Sequence, residues 1–198
     1  MSEIEQTIAD GANNPGSYSL KKTVVMVGMM GAGKTAVGRA LAQRLGVAFL
    51  DSDAEIETAA NRTVPEIFER DGEPFFRAKE TQVIERLLEE TRCVLSTGGG
   101  AFLSDKNRAN ISTKGVSVWL DADLELLWSR VRNKDTRPLL RTRDPKATLR
   151  SIYEQRVPTY ALADMTVVSD DDYSIEDMVD HVVDALIARP DVLEVHNA

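Results

Sequence analysis

The chain has 198 residues, of which 42% are hydrophobic, and a formal net charge of −8 at neutral pH. This size and apolar content suit one domain with its own core, and the acidic balance argues against nucleic acid as a partner, because binding a phosphate backbone requires a basic face. No apolar run approaches the roughly 18 residues of a membrane span, and the first residues lack the features of a secretory signal. The single cysteine, Cys93, excludes an internal disulfide. We expect a cytoplasmic protein, most simply a monomer, with no membrane partner.

The first segment of the chain differs in character from the rest. Residues 1–20 lack sustained periodicity and contain a turn-forming Gly-Ala-Asn-Asn-Pro-Gly stretch, so we expect a flexible N-terminal extension there. Residues 21–189 are expected to form a single domain. Residues 190–198 are expected to be a C-terminal tail.

Apolar runs and helical patterns alternate along this domain. The apolar runs predict five strands, at 23–27, 47–50, 93–96, 115–120 and 165–168. The helical patterns lie at 34–45, 53–60, 63–70, 74–90, 105–111, 123–131, 145–161 and 175–188. Short, almost wholly apolar strands separated by helices require a parallel sheet that is covered on both faces. The predicted fold is therefore a three-layer α/β/α sandwich around a five-stranded parallel sheet.

The segment between the first predicted strand and the first helix matches the phosphate-loop pattern GxxxxGK[ST]. It consists of Gly28, Met29, Met30, Gly31, Ala32, Gly33, Lys34 and Thr35. Glycines let backbone N–H groups converge on phosphate oxygens, and the following helix adds its positive dipole end. Lys34 would reach the β- and γ-phosphates, and the Thr35 hydroxyl would ligate Mg²⁺. The alternative is an ordinary glycine-rich turn, but the strand before and the helix after favour a nucleoside triphosphate site.

Two carboxylates, Asp51 and Asp53, follow the second predicted strand. In an extended segment both would point to the same side, where one could hold the Mg²⁺ shell and the other could accept a hydrogen bond from a substrate hydroxyl. The alternative is a helix N-cap with a neighbouring surface acid. Ligands of parallel sheets gather beyond the carboxyl ends of the strands, so the position favours a functional role.

Three consecutive glycines, Gly98, Gly99 and Gly100, follow the third predicted strand. Each disfavours folding by roughly 0.5 to 1 kcal/mol relative to alanine, so we infer a close approach of this backbone to a ligand rather than a merely flexible turn. The aspartate that many phosphate-loop proteins carry at the end of this strand is absent. The metal-related role is therefore left to Asp51.

A basic segment interrupts the otherwise acidic chain. Between residues 130 and 150 there are eight lysines or arginines and two acidic residues. One interpretation is a solvated surface helix; the other is a segment that closes over a polyphosphate, which the upstream phosphate loop favours. We expect a mobile lid at about residues 133–144.

Six motifs in this order resemble those of the shikimate kinases, small-metabolite kinases related in fold to the nucleoside monophosphate kinases. They are the phosphate loop at 28–35, DxD at 51–53, GExxFR at 72–77, the triple glycine at 98–100, RPLL at 137–140 and YxxR at 153–156. The resemblance runs from about residue 22 to about residue 186. It implies a phosphate-loop NTPase fold and transfer of the γ-phosphoryl group of ATP to the 3-hydroxyl of shikimate, with Mg²⁺, as a step of aromatic amino-acid biosynthesis.

The resemblance also implies where shikimate binds. Its carboxylate would be held by Arg77 and Arg156 above the triple glycine, while Asp53 would bond the ring hydroxyls and act as the catalytic base. Phe76 would form a wall of the site.

On the nucleotide side, the resemblance places Arg130 against the adenine ring and Arg137, on the lid, beside the transferring phosphoryl group. Lys34 and Mg²⁺ would complete the clamp on the phosphates. The loop at 169–173, after the fifth predicted strand, should approach the adenine edge, but it carries no motif.

Three alternatives remain at this point. A related kinase of another hydroxylated acid, such as gluconate, would have the same fold and phosphate loop, and only the arginine pair and Asp53 argue against it. A GTPase-like switch would need DxxG and NKxD motifs that the chain does not contain. A catalytically silent relative is disfavoured because Lys34, Asp53 and Arg137 are all intact.

Overall fold

The computed structural model of the protein describes residues 18–196. Its strands are β1 (Tyr18–Leu20), β2 (Thr23–Val27), β3 (Ala48–Asp51), β4 (Cys93–Ser96), β5 (Gly115–Asp121), β6 (Met165–Val168) and β7 (Leu193–Val195). Its α-helices are α1 (Lys34–Leu45), α2 (Ser52–Ala60), α3 (Val64–Glu90), α4 (Asp105–Lys114), α5 (Leu124–Val131), α6 (Pro145–Tyr160) and α7 (Ile175–Ile187). Short 3₁₀ turns occur at Ala101–Leu103 and Pro138–Leu140.

The main sheet has the five predicted strands in the order β3-β4-β2-β5-β6, and every neighbouring pair is parallel. All five residues of β2 are buried, which requires a layer of helices on each face of the sheet. Helix α1 packs against α7, and helix α3 packs against α4. The three-layer α/β/α prediction is confirmed. Strand β2 lies between β4 and β5. Strands β3 and β4 lie on one side of it and β5 and β6 on the other, so the strand order switches sides beside the phosphate loop, where ligands of such folds bind.

The helix ends follow from local chemistry. Helix α1 stops at Gly46, whose φ of 67° is left-handed and whose backbone N–H donates to the carbonyls of Ala42 and Gln43. Thr63 and Glu66 form a capping box at the start of α3. The two helices predicted at 63–70 and 74–90 are continuous except at Gly72, where φ 82° and ψ 171° break the helical geometry. The break that the sequence indicated is therefore present, and Arg77 lies on the part of the helix that follows it.

The predicted boundaries of the extension and the tail need correction. Strands β1 and β7 pair antiparallel, with Tyr18 opposite Val195 and Leu20 opposite Leu193. Leu193 is buried, and Lys21 forms an ion pair with Glu194 at 2.9 Å. Residues 18–20 and 193–195 thus form a two-stranded sheet, in which each strand supplies hydrogen-bond partners for the backbone of the other. The expected flexible extension at 1–17 lies outside the described residues.

Other differences from the predicted elements are small. Helix α4 runs three residues beyond the predicted end at 111, through a polar stretch in which apolar periodicity gave no signal. Cys93 is free and buried on β4, as expected of a strand thiol. Among the described helices, none combines the length and the hydropathy that a membrane span requires.

Candidate active site

The phosphate loop has the backbone that the motif predicts. Gly28, Gly31 and Gly33 have φ angles of 141°, 82° and 92°, a region that glycine adopts without strain. A Cβ on Gly31 would lie 2.7 Å from a methyl group of Val131, so the loop also packs closely against α5. No side chain caps the start of α1. The N–H groups at this helix end are therefore available to an anion.

Lys34 folds back over the phosphate loop. Its Nζ donates hydrogen bonds to the carbonyls of Gly28 at 2.8 Å and Met29 at 3.0 Å. Burial of the ammonium and the nearby Arg137 lower the pKa of Lys34 from 10.5 to about 8, against the raising effect of Asp53. The side chain is thus held by two neutral acceptors that a phosphate could replace with charged ones.

Asp51 and Asp53 occupy the carboxyl end of β3 and the first turn of α2. Asp51 Oδ1 accepts hydrogen bonds from the backbone N–H groups of Asp53 at 3.0 Å and Ala54 at 3.2 Å, so Asp51 is the N-cap of α2. One oxygen of Asp51 therefore serves as a helix N-cap, which is part of the alternative that the sequence left open for this pair of aspartates. Asp51 and Asp53 nevertheless line the same cavity as the phosphate loop.

The carboxylate of Asp53 is the more deeply placed of the two. Its Oδ1 is buried and finds no hydrogen-bond partner among residues 18–196. Burial, and then the charge of Asp51, raise the pKa of Asp53, while Arg77 and Lys34 oppose the rise. Asp53 lines the cavity, and an acceptor without a partner there is suited to receive a ligand hydroxyl.

Each glycine of the triple glycine faces a different predicted site residue. A Cβ on Gly98 would lie 3.0 Å from Asp53 Oδ1, and one on Gly99 would lie 2.9 Å from an Nη of Arg156. At Gly100 the distance to an Nη of Arg77 would be only 2.5 Å. None of the three has a positive φ. Close approach of charged side chains, rather than a positive φ, therefore distinguishes these glycines, most sharply at Gly100, where the distance is shortest.

Arg77 is oriented by its own helix. Its Nη1 donates to Glu80 Oε2 at 2.8 Å and its Nε donates to Glu73 Oε1 at 3.4 Å. The guanidinium carbon lies 5.3 Å from the centre of the Phe76 ring, which itself packs on Phe68 at 4.6 Å. Phe76 is buried beneath the guanidinium. These contacts leave the outer edge of Arg77 facing the backbone of Gly100.

The basic segment supplies two arginines to the same place. Arg130, on α5, donates from Nη1 to the carbonyl of Gly31 at 3.2 Å, which ties α5 to the phosphate loop. Arg137 precedes the 3₁₀ turn Pro138–Leu140, and Leu140 is buried there. The Nε of Arg137 is buried without a hydrogen-bond partner within residues 18–196. A donor left in this state next to a phosphate loop is suited to a phosphoryl oxygen.

One cavity of about 630 Å³ collects most of the predicted nucleotide residues. The predicted site residues that line it are Met30, Gly31, Ala32, Gly33, Lys34, Thr35, Asp51, Asp53, Gly98, Gly99, Arg130 and Arg137. Gly28, Met29, Phe76, Arg77, Gly100 and Arg156 are not among its lining. Arg77, Gly100 and Arg156 adjoin it through the triple glycine, whereas the Met29 side chain lies in the core and only its carbonyl faces Lys34.

Sequence reasoning missed several residues of this region. Ser169 and Tyr173, which belong to the loop expected near adenine, line the cavity, and so do Ile175 and Met178 of α7, which carry no motif. Glu80 and Tyr160 were also missed. The signal that could have found both is helical spacing: Glu80 follows Arg77 by three positions, and Tyr160 follows Arg156 by four.

Comparison with known proteins identifies the family of the chain. A sequence model of the family described as Shikimate kinase matches residues 30–187. A shikimate kinase of Ruegeria pomeroyi is 69% identical over 194 residues, which cover 98% of this chain and 99% of that protein. A shikimate kinase structure from Acinetobacter baumannii in complex with shikimate has a TM-score of 0.78 and 38% identity, and the match covers 84% of this chain and 93% of that one.

A gluconokinase structure from Sinorhizobium meliloti also matches, with a TM-score of 0.53, 19% identity, and coverage of 85% of this chain and 93% of that one. At this identity the match shows a shared fold alone. The family model and the R. pomeroyi relative go further, because they extend over most of the chain at high similarity, and they confirm the resemblance that the motifs indicated. The chain belongs to the shikimate kinase family.

Proposed function

We propose that this chain transfers the γ-phosphoryl group of ATP to the 3-hydroxyl of shikimate, yielding shikimate 3-phosphate and ADP. One observation carries the proposal: the triple glycine brings a carboxylate and two guanidinium groups, those of Asp53, Arg156 and Arg77, to one short turn beside a phosphate loop. A ring acid with several hydroxyls matches this combination. Its carboxylate would pair with the arginines, and its hydroxyls would bond the aspartate.

On the acceptor side, Arg77 and Arg156 would hold the carboxylate of shikimate from two directions. Charge-assisted bonds from a guanidinium contribute roughly 1.5 to 3 kcal/mol each when they are shielded from water. Gly98, Gly99 and Gly100 would let the ring lie close to the backbone, with Phe76 supporting Arg77 from below. The site would therefore select an anionic ring over a neutral one.

Asp53 would orient the 3-hydroxyl and accept its proton. The buried, unpartnered Oδ1 supports this role, because a ligand hydroxyl would supply the missing donor. Burial raises the pKa of Asp53, which makes the carboxylate a better proton acceptor than an exposed aspartate. Alignment of the hydroxyl with the phosphorus would contribute most of the rate, since phosphoryl transfer has a loose transition state.

On the donor side, the N–H groups of the phosphate loop and the start of α1 would bind the phosphates. Lys34 would exchange its two carbonyl acceptors for β- and γ-phosphate oxygens. Arg130 would lie against adenine, with Tyr173 and Met178 near it in the same cavity. Arg137 would donate its free Nε to the transferring group and offset the charge that develops there.

Magnesium fits the oxygen donors that are present. Within residues 18–196 no group of three or more His, Cys, Asp or Glu side chains could hold an ion by itself. Mg²⁺ in kinases, however, needs only one or two protein oxygens and completes its shell with phosphate and water. The exposed Thr35 hydroxyl and the Asp51 oxygen that does not cap α2 would supply them. The ion would draw charge from the phosphates and orient them.

Residues of a single chain supply every group in this scheme, which supports a monomeric enzyme. We also propose that it acts in the cytoplasm, where its acidic, disulfide-free composition fits. Light scattering of the purified protein tests the first point. A dimer that persists on dilution would contradict it.

The test of the proposed reaction is a coupled assay for ADP release with shikimate, quinate and gluconate compared as acceptors. We expect turnover that depends strictly on shikimate, because gluconate has no rigid ring to span Asp53 and the arginine pair. Faster turnover with gluconate than with shikimate would overturn the proposal in favour of the related sugar-acid kinases.

A further inference from the structure

Tyr160, the last residue of α6, is completely buried yet turns its hydroxyl toward the candidate site. The hydroxyl lies 2.5 Å from the carbonyl oxygen of Gly99 and donates its proton to it. The ring packs near Trp119, with the two centres 6.3 Å apart. A phenylalanine would fill the same space, so core packing alone does not explain the hydroxyl.

The same hydroxyl adjoins Arg156, one helical turn earlier on α6. A Cβ on Gly99 would lie 2.9 Å from an Nη of Arg156 and 3.7 Å from the hydroxyl oxygen of Tyr160, so the three groups meet at one point. Burial raises the pKa of Tyr160, and the Arg156 guanidinium opposes part of that rise. A phenol has one proton to donate and two lone pairs to offer. With its proton committed to Gly99, the Tyr160 oxygen can only accept from Arg156.

We propose that Tyr160 is a positioning residue that fixes the Gly99 peptide and the Arg156 guanidinium relative to each other, and so determines how tightly the site binds the carboxylate of its substrate. The inference rests on the proposed function, in which Arg156 holds the carboxylate of shikimate and the Gly99 backbone lies close to its ring. Tyr160 itself need not touch the ligand. Its effect is on affinity and on preference for the anion, not on phosphoryl transfer.

The test substitution is Tyr160→Phe, which keeps the buried ring and removes only the hydroxyl. The matched control is Tyr153→Phe, on the same helix and partly exposed. Calorimetric titration of wild type with shikimate comes first. We expect Tyr160→Phe to weaken shikimate binding about tenfold, because it removes the hydrogen bond to the Gly99 carbonyl and the polar oxygen that adjoins Arg156. The KM for ATP and the kcat at saturating shikimate should stay within about twofold of wild type.

A purely structural role is separated from positioning by the methyl ester of shikimate, which has the ring and hydroxyls but no charged carboxylate. If Tyr160 positions the carboxylate site, the ratio of shikimate to ester affinity should fall in Tyr160→Phe. In an Arg156→Ala background the same substitution should then have little further effect. Equal weakening of both ligands, or an undiminished effect without Arg156, would overturn the inference.

The outcomes also separate the inference from the proposed function. Wild-type protein that binds no shikimate would overturn both. Wild type that binds shikimate, together with a folded Tyr160→Phe that binds it equally well, would overturn the inference alone. If Tyr160→Phe melts at a lower temperature but the folded variant binds shikimate with unchanged affinity, the positioning role would also be contradicted.

Discussion

Arg77 donates a hydrogen bond of 2.8 Å to Glu80, whose side chain is only 1% exposed. The second carboxylate oxygen of Glu80 is buried without a partner among the described residues. Burial raises the pKa of Glu80, and Arg77 opposes the rise. The pair thus holds Arg77 toward the triple glycine at the expense of an incompletely satisfied buried charge.

This pair predicts a separation of stability from binding in Glu80→Gln. A raised pKa in the folded state means that ionised Glu80 disfavours folding, an effect that begins above the unfolded-state pKa and is complete above the folded-state pKa. Glu80→Gln removes this effect but also removes a partner of Arg77, which is partly exposed and keeps its contact to Glu73, so stability at neutral pH should change by no more than about 1 kcal/mol. Shikimate affinity should fall about tenfold, because a neutral amide holds the guanidinium less firmly. Thermal unfolding and calorimetric titration measure the two quantities.

The control for this substitution is Glu73→Gln, since the Glu73 contact to Arg77 is longer, at 3.4 Å, and exposed. It should change neither quantity by much. Strong destabilisation of Glu80→Gln with intact binding would show that Glu80 supports the fold rather than Arg77.

Gly100→Ala should impair substrate binding while leaving the fold intact. The new Cβ would lie 2.5 Å from an Nη and 2.8 Å from the central carbon of Arg77, so the guanidinium must move. The φ of Gly100 is −92°, which alanine adopts readily. We expect the KM for shikimate to rise about tenfold or more, with the KM for ATP near normal. Steady-state kinetics with each substrate varied in turn provide the measurement.

Gly46→Ala gives the opposite pattern and serves as the control. Its φ of 67° is left-handed, and no atom lies within 4 Å of a Cβ built there. Stability should therefore fall by about 1 kcal/mol without any change in either KM. If Gly100→Ala also lost stability and kept its shikimate KM, close approach of Arg77 would not be the reason for that glycine.

Arg137→Ala should reduce kcat far more than it reduces shikimate affinity. Its Nε has no partner among the described residues, and in the proposed scheme it pairs only with the transferring phosphoryl group. Arginines in this role contribute about 10³-fold or more to kcat in related phosphoryl transfers. Single-turnover kinetics and calorimetry distinguish the two effects. Arg143→Ala, at an exposed residue of the expected lid, is the control and should remain close to wild type.

The protonation of Lys34 predicts how kcat/KM for ATP depends on pH. In the free enzyme burial lowers the pKa of Lys34 to about 8, so the ammonium loses its proton as the pH rises through this value. The value of kcat/KM for ATP should then fall about tenfold per unit above about pH 8. Arginines stay charged throughout this pH range, so the affinity of the free enzyme for shikimate should not fall above about pH 8. A flat ATP profile up to about pH 9.5 would show that Lys34 keeps its proton.

Local chemistry explains why much of the fold could be predicted. The phosphate loop, the capping box at Thr63 and the break at Gly72 each depend on a few adjacent residues. The five parallel strands followed from short apolar runs, whose hydrophobicity requires cover on both faces. The pairing of Tyr18 with Val195 could not be found in this way, because its two strands lie at opposite ends of the chain and each has only three residues.

By itself, the sequence determined the candidate site residues and the order in which they follow the strands, because those properties depend on residue type and short spacing. Only the tertiary structure decided which glycine faces which charge, that Asp51 gives one oxygen to a helix cap, and that Glu80 pairs with Arg77 and Tyr160 with the Gly99 carbonyl. These relationships join residues from separate elements or depend on burial. They depend on how closely separate elements pack against one another, and no local sequence pattern encodes that.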